Sequence, residues 1–215
     1  MTRPSVLSLS LSMNGLLLGL ALTGWIAPNV PTTFNPETDV PTIAPSARIH
    51  PLAVVNGSVT IGEQVFVAPA ASVRGDEGQN IFIGNQSNIQ DGVVVHGLET
   101  FENGHELTEN EVLVEGRAYS VYVGQRVSLA HQSQVHGPAK IGDDTFIGMQ
   151  ALVFRTEVGD HVVVEPGAKL IGVKVPSGRY VPALSLVTTQ AQADALPAIH
   201  ASYQYRNLNK GVVQV

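Results

Sequence analysis

The chain has 215 residues, 44% of them hydrophobic and 14% charged, with a formal net charge of −6. That length and balance fit one globular domain, exclude a disordered chain, and leave no basic footprint for nucleic acid. The absence of cysteine removes disulfides, CxxC redox pairs and thiolate-bound zinc, so any metal must be held by nitrogen or oxygen.

Residues 1–27 stand apart from the rest. Arg3 precedes a mostly apolar run from Val6 to Ala27 that reads as a secretory leader, cut near Thr23 or after Gly24. An uncleaved membrane anchor is the competing reading, because the run is long enough to cross a bilayer. Either reading puts the folded part outside the cytoplasm, secreted or periplasmic. Residues 28–42 are a proline-rich connector, expected to run extended to the first repeat.

From Ile43 onward aliphatic residues recur every six positions: Ile43, Ile49, Val55, Ile61, Val67 and Val73, then Ile83, Ile89 and Val95. The count resumes at Val123, Leu129, Val135, Ile141, Ile147 and Val153, and again at Val158, Val164 and Leu170. Short alternating stretches at this period, broken by turn residues such as Gly62, Gly84 and Gly124, predict a hexapeptide-repeat parallel β-helix over 43–175. Three hexapeptides make one triangular coil, so Ile43/Ile61, Val67/Ile89 and Val135/Val153 are expected to stack as core pairs at the ~4.8 Å spacing of adjacent strands.

Two insertions interrupt the period, at 74–80 and 97–122. The second contains Glu99, Glu102, Glu106, Glu109 and Glu111, and its end alternates in a way that predicts a hairpin around Glu115-Gly116. After Leu170 the repeat fades, and residues 176–215 are expected to form a helical segment lying on the prism. Within it Thr189–Leu196 is a short helix stopped by Pro197, and Ala198–Val215 a second, with Tyr203 and Tyr205 against the coils.

The histidines give this scaffold a chemistry. His96 follows the inward Val95 and His136 the inward Val135, so both take the first outward position of the third face on adjacent coils and can share one ion. His131 follows Leu129 by two residues, near the corner leaving the second face. Five extended residues separate its α-carbon from that of His136 by roughly 16 Å, whereas zinc holds a histidine nitrogen at about 2.0 to 2.1 Å. One chain does not close such a site; a homotrimer does, because packing around a threefold axis brings His131 of one subunit to His96 and His136 of the next. His50, His105, His161 and His200 lack such partners and read as surface or packing residues.

The motifs Arg74-x-Asp76-Glu77-Gly78, Asn88-Ile89-Gln90-Asp91-Gly92, Val95-His96, Leu98-Glu99-Thr100, Leu129–Gly137 and Ile141–Gln150 resemble the γ-class carbonic anhydrases, most of all the secreted type with an acidic loop. The resemblance runs from about Thr42 to the C-terminus and implies an all-β fold, a left-handed parallel β-helix with a C-terminal α-helix. It implies that His96, His131 and His136 bind Zn²⁺, or Fe²⁺ or Co²⁺, and that a metal-bound hydroxide converts CO₂ to bicarbonate. It further implies that Gln90 and Asn207 line the pocket, that Asn88 hydrogen-bonds Glu77, and that Glu77 accepts the proton internally while Glu99 shuttles it to solvent. Arg74 and Asp76 resemble a pair that bridges subunits. Two other classes share the repeat: a hexapeptide acyltransferase, for which basic residues near a phosphate-bearing donor are scarce, and a catalytically silent assembly module, against which the complete ligand set and both glutamates argue.

Overall fold

The computed structural model describes residues 25–213. The chain winds as a left-handed parallel β-helix of about eight turns. Its three faces are parallel sheets of seven, seven and eight strands. The first face runs from Thr42–Ile43 to Lys174–Val175, the second from Arg48–Ile49 to Tyr180–Val181, and the third from Trp25–Ala27 to Leu186–Val187. The expected stacks form: Ile43 pairs with Ile61, Val67 with Ile89, and Val135 with Val153.

The six-residue period works because each short strand sends one β-branched or aliphatic side chain into the prism. On the third face Val55, Val73, Val95, Val135, Val153 and Leu170 form one column with no exposed surface. Each such burial contributes about 1.5–3 kcal/mol, and β-branched residues suit a pleated surface with neighbours above and below. Coils repeat every 18 residues between Gln132 and Gln150 and every 17 between Asp160 and Ser177.

At two corners the chain turns through residues with positive φ that are mostly not glycine. Gln64, Gln86, Arg126, Asp144 and His161 line the first-to-second corner, and Ala70, Gln132, Gln150 and Leu184 the second-to-third. Left-handed backbone is costly for such residues, but here it aims their N–H groups at the preceding coil. Arg126 N donates to the Asn85 carbonyl, Asp144 N to that of Gln125, and Gln132 N to that of Asp91. The side chains add a second ladder: Gln86 Nε2 donates to Gln64 Oε1 and Gln150 Nε2 to Gln132 Oε1, both at 3.0 Å. Arg126 grips Asp144 through two bonds of 2.7 Å.

Several expectations shift. The expected leader or anchor lies outside the described residues as far as position 24, but Trp25–Ala27 is a strand paired with Val54–Asn56. The connector is not simply extended; Asn29 is buried, donates to the Glu37 carbonyl and accepts from Asp39 N, closing it into a loop. The repeat does not end near 170–175. A coil shortened to 17 residues moves the inward positions to Val175, Val181 and Val187, so the prism continues to Val187. Beyond it, helix α1 (Gln190–Asp194) starts with a Thr189/Gln192 capping box. The second expected helix shrinks to α2 (Leu208–Val212), because residues 201–207 form turns instead.

The insertions share one place. The connector and both loops all leave the third-to-first corner, with one short corner at Gly57–Ser58 between the connector and loop 76–80, and they rest on one another. Asn35 Nδ2 donates to the Asp76 carbonyl at 3.3 Å, and Gln79 Nε2 to Glu106 Oε1 at 3.1 Å. The long insertion ends at Ser120, two residues earlier than expected, since Val121–Val123 is a strand of the first face. It carries the expected hairpin, Val112–Val114 with Arg117–Tyr119, and a second, Phe101–Glu102 with His105–Glu106.

Leu129 lies at mid-height in the core with no exposed surface. Leu129→Ala is expected to cost about 3 kcal/mol through lost burial and the cavity left behind, read as a lowered denaturant midpoint with an unchanged slope.

Candidate metal centre

The residues singled out by sequence fall into two half-sites, one at each end of the third face. At the third-to-first corner stand Arg74, Asp76, Glu77, His96 and His136. At the second-to-third corner stand Asn88, Gln90, Asp91 and His131.

The first half-site is built by strand register. His96 pairs with His136 across adjacent parallel strands, and Arg74 with His96 on the coil below. His96 Nδ1 faces His136 Nε2 at 3.4 Å. The outer nitrogens are engaged elsewhere: His96 Nε2 lies 3.1 Å from Asp76 Oδ1 and 3.3 Å from Glu77 Oε1, and His136 Nδ1 lies 3.3 Å from the Gly137 carbonyl. A neutral imidazole has one N–H. If each ring donates its proton outward, to the carboxylates and to the carbonyl, two lone pairs point at one another across the gap. Two nitrogens bound to one tetrahedral ion at about 2.0–2.1 Å would be about 3.3–3.4 Å apart. The pair therefore fits a divalent cation, and the carboxylates behind His96 are the outer partners such a ligand needs.

The charges suit this role. Burial pushes the His136 imidazole below its ordinary 6.5, which keeps it neutral and able to donate a lone pair. Burial pushes Asp76 up, but the hydrogen bond and charge of Arg74, 2.9 Å away, outweigh it and hold that carboxyl below 3.8. Glu77 Oε2 is buried with no hydrogen-bond partner. Asp76, Glu77 and His96 are the donor group that clusters within 4.8 Å among the described residues.

Loop 76–80 is locked to the long insertion by Thr100, which has no exposed surface. Its N–H and hydroxyl both donate to the Glu77 carbonyl at 2.9 Å, and its hydroxyl accepts from Gln79 N at 2.8 Å. Gly78 has φ +106°, and a β-carbon there would lie 2.3 Å from the Thr100 hydroxyl, so this crossing requires glycine. Glu99 is exposed beyond the lock, beside Thr33, Phe34 and Phe101 in a cavity of about 390 Å³.

The second half-site faces away from the first. His131 Nδ1 lies 3.0 Å from Asp91 Oδ2, and its ring is 54% exposed, which leaves Nε2 free to meet something outside the chain. Beside it Gln90 Nε2 donates to Asn88 Oδ1, and Asn88 Nδ2 to Ser128 Oγ, each at 3.0 Å. A cavity of about 400 Å³ opens here, lined by Gln90, Ala130, His131, Phe146, Met149 and Leu208.

Within the single chain three of these residues have other neighbours than the resemblance implies for the assembly. Asn88 does not bond Glu77 within the chain, because the two lie on different faces; Ser128 and Gln90 satisfy it. Arg74 and Asp76 pair with each other in one chain, and Asp76 also holds His96, a role missed by reading it for assembly alone. Its place beside Glu77, one coil below His96, was the available signal. Asn207 is exposed at the start of α2 and lines neither half-site; the buried amide of that segment is Asn209, which donates to the Arg126 carbonyl.

In the metal-free protein His136 is expected to titrate below 6.5, checked by ring-nitrogen NMR. The folded chain then binds fewer protons at this residue than the unfolded chain as pH drops below 6.5, so its contribution lowers stability toward acid and is absent above that pH.

No protein-family model matches the chain. It is 55% identical over 191 residues to a carbonic anhydrase of Methanosarcina thermophila, covering 88% of this chain and 77% of that one. It is 41% identical over 169 residues to the carboxysome assembly protein CcmM of Nostoc sp., covering 79% of this chain and 29% of that longer protein. Among solved structures, a hexapeptide transferase family protein from Anaplasma phagocytophilum superposes with a TM-score of 0.62 at 20% identity, covering 88% of this chain and 92% of that one. That likeness concerns the fold.

Proposed function

The chain belongs to the γ-class carbonic anhydrase family, and from that premise we propose that it hydrates carbon dioxide reversibly to bicarbonate at metal centres shared between the subunits of a homotrimer. The observation that carries this reading is the His96/His136 pair, with ring nitrogens 3.4 Å apart and each outer nitrogen already engaged. His131 of a neighbouring subunit completes the donor set: its ring is exposed, its Nε2 has no hydrogen-bond partner among the described residues, and Asp91 holds Nδ1.

Zn²⁺, Fe²⁺ and Co²⁺ all suit three neutral imidazoles, and an ion so held lowers the pKa of a coordinated water to near neutrality and so supplies the nucleophile. The protein's part is positional. The apolar walls of the cavity beside His131, Phe146, Met149 and Leu208, suit a linear substrate without charge, and Gln90 offers an amide to orient it. The buried, unpartnered Glu77 Oε2 is available to take the proton released. Glu99, exposed on the long insertion, passes it to solvent. Arg74 and Asp76 steady His96 in this scheme. The apolar N-terminal run supports a location outside the cytoplasm.

An assembly role is the second reading, favoured by the similarity to CcmM. The two separate on activity. Stopped-flow CO₂ hydration by anaerobically purified protein, with metal determined on the same sample, is expected to give turnover near one metal per chain. Metal-replete but inactive protein, after exchange with each of the three ions, would favour assembly. His131→Ala is expected to abolish metal binding at every site without unfolding the coils; a stable, metal-replete variant would overturn the shared centre. Glu99→Gln is expected to lower kcat by about a hundredfold while leaving kcat/KM close to wild type, because only proton export is impaired.

A further inference from the structure

The first-to-second corner lies opposite the third face, on the side of the prism away from His96 and His136. There the last turns and α2 lie over the stacked corner residues and enclose a cavity of about 510 Å³. Arg126, Asp144 and His161 form its corner wall; Arg206, Asn209 and Lys210 form its cover.

Charge concentrates in this cavity. The chain carries 12 Lys and Arg residues against 18 acids, yet three of those cations line this cavity with a single carboxylate. That carboxylate, Asp144, is spanned by both 2.7 Å bonds from Arg126, and the pair is neutral. Arg206 uses one guanidinium nitrogen on the Tyr203 carbonyl, and Lys210 has no hydrogen-bond or ion-pair partner among the described residues. With Asp143 also 3.8 Å from Arg126, one positive charge is left over in a chain whose net charge is −6.

The cover is fastened to the corner. Asn209 is 7% exposed and its Nδ2 donates to the Arg126 carbonyl. Its Oδ1 is buried and has no partner. Val163 and Ile199 supply an apolar floor, and Ile199 N is tied to the Gly178 carbonyl at 2.8 Å.

We propose that this corner cavity binds a phosphate monoester, its anionic group on Arg206 and Lys210 and its organic body on Val163 and Ile199. Arginine and lysine favour phosphate oxygens through charge-assisted hydrogen bonds, and the volume suits a small organic ligand. The site is independent of the CO₂ reading.

The test uses the metal-loaded full chain and two probes, phenyl phosphate and inorganic phosphate, titrated by calorimetry and followed by phosphorus NMR. Wild type is expected to bind phenyl phosphate more tightly than inorganic phosphate, and added chloride is expected to weaken both. Arg206→Gln with Lys210→Gln is expected to weaken binding at least about tenfold with an unchanged thermal midpoint. Lys210→Gln alone, exposed on α2, is expected to weaken it measurably, which keeps the test decisive if the double variant fails to fold. No binding by wild type at tens of millimolar, or equal affinity in wild type and Lys210→Gln, would overturn the proposal. No CO₂ chemistry enters the measurement, so failure here and failure of hydration are separate results.

Discussion

The register of the parallel ladder is the constraint on which the rest of this structure depends. Each strand contributes two to four residues, too few to be stable alone, so every coil relies on the one beneath it for hydrogen bonds and buried surface. A slip of one residue would turn the inward column outward. It would also part His96 from His136, which meet only because Val135 sits directly over Val95. Core packing and metal geometry are thus set by the same alignment.

The corners divide the labour. Two are short and repetitive, with left-handed residues whose N–H groups and side chains form ladders of their own. The third carries every long insertion. Loops normally sacrifice precision, yet here the connector supports loop 76–80, and that loop is locked through Thr100 to the acidic insertion. The carboxylates that hold His96 are therefore fixed by buried backbone contacts. The opposite arrangement holds at His131, whose ring is exposed and held by one partner, as suits a group that serves a neighbouring surface.

Much of this was legible in the sequence because the period is short and strict. The inward column, the stacking of His96 on His136, the hairpin at Glu115-Gly116 and the helix opened by Thr189 all follow from local spacing. The last coil was not legible, because its single-residue shortening mimics the end of the repeat. The hairpin at Asn103-Gly104 had a readable dipeptide, with positive φ at both residues, but sat among acids that suggest a solvated loop. Contacts between segments distant in sequence escaped altogether: Asn35 with Asp76, Thr100 with Glu77, Asn88 with Ser128, and the cationic side chains gathered beneath α2. They depend on which insertions share a corner, and a period says nothing about that.

The long insertion also bears on how the chain reaches its fold. The first coil closes over 29 residues and the others over 17, 18 or 22, but His96 and His136 are 40 apart. Winding that proceeds coil by coil meets its largest entropic step there, although the penalty grows only with the logarithm of length, about 0.6 kcal/mol per doubling. The two hairpins inside the insertion shorten the effective span by bringing their own ends together. An ion joining the two rings would clasp this same junction, turning the kinetically most demanding closure into the most firmly held. The chemistry would then sit where the solenoid is slowest to wind and, once loaded, slowest to unwind.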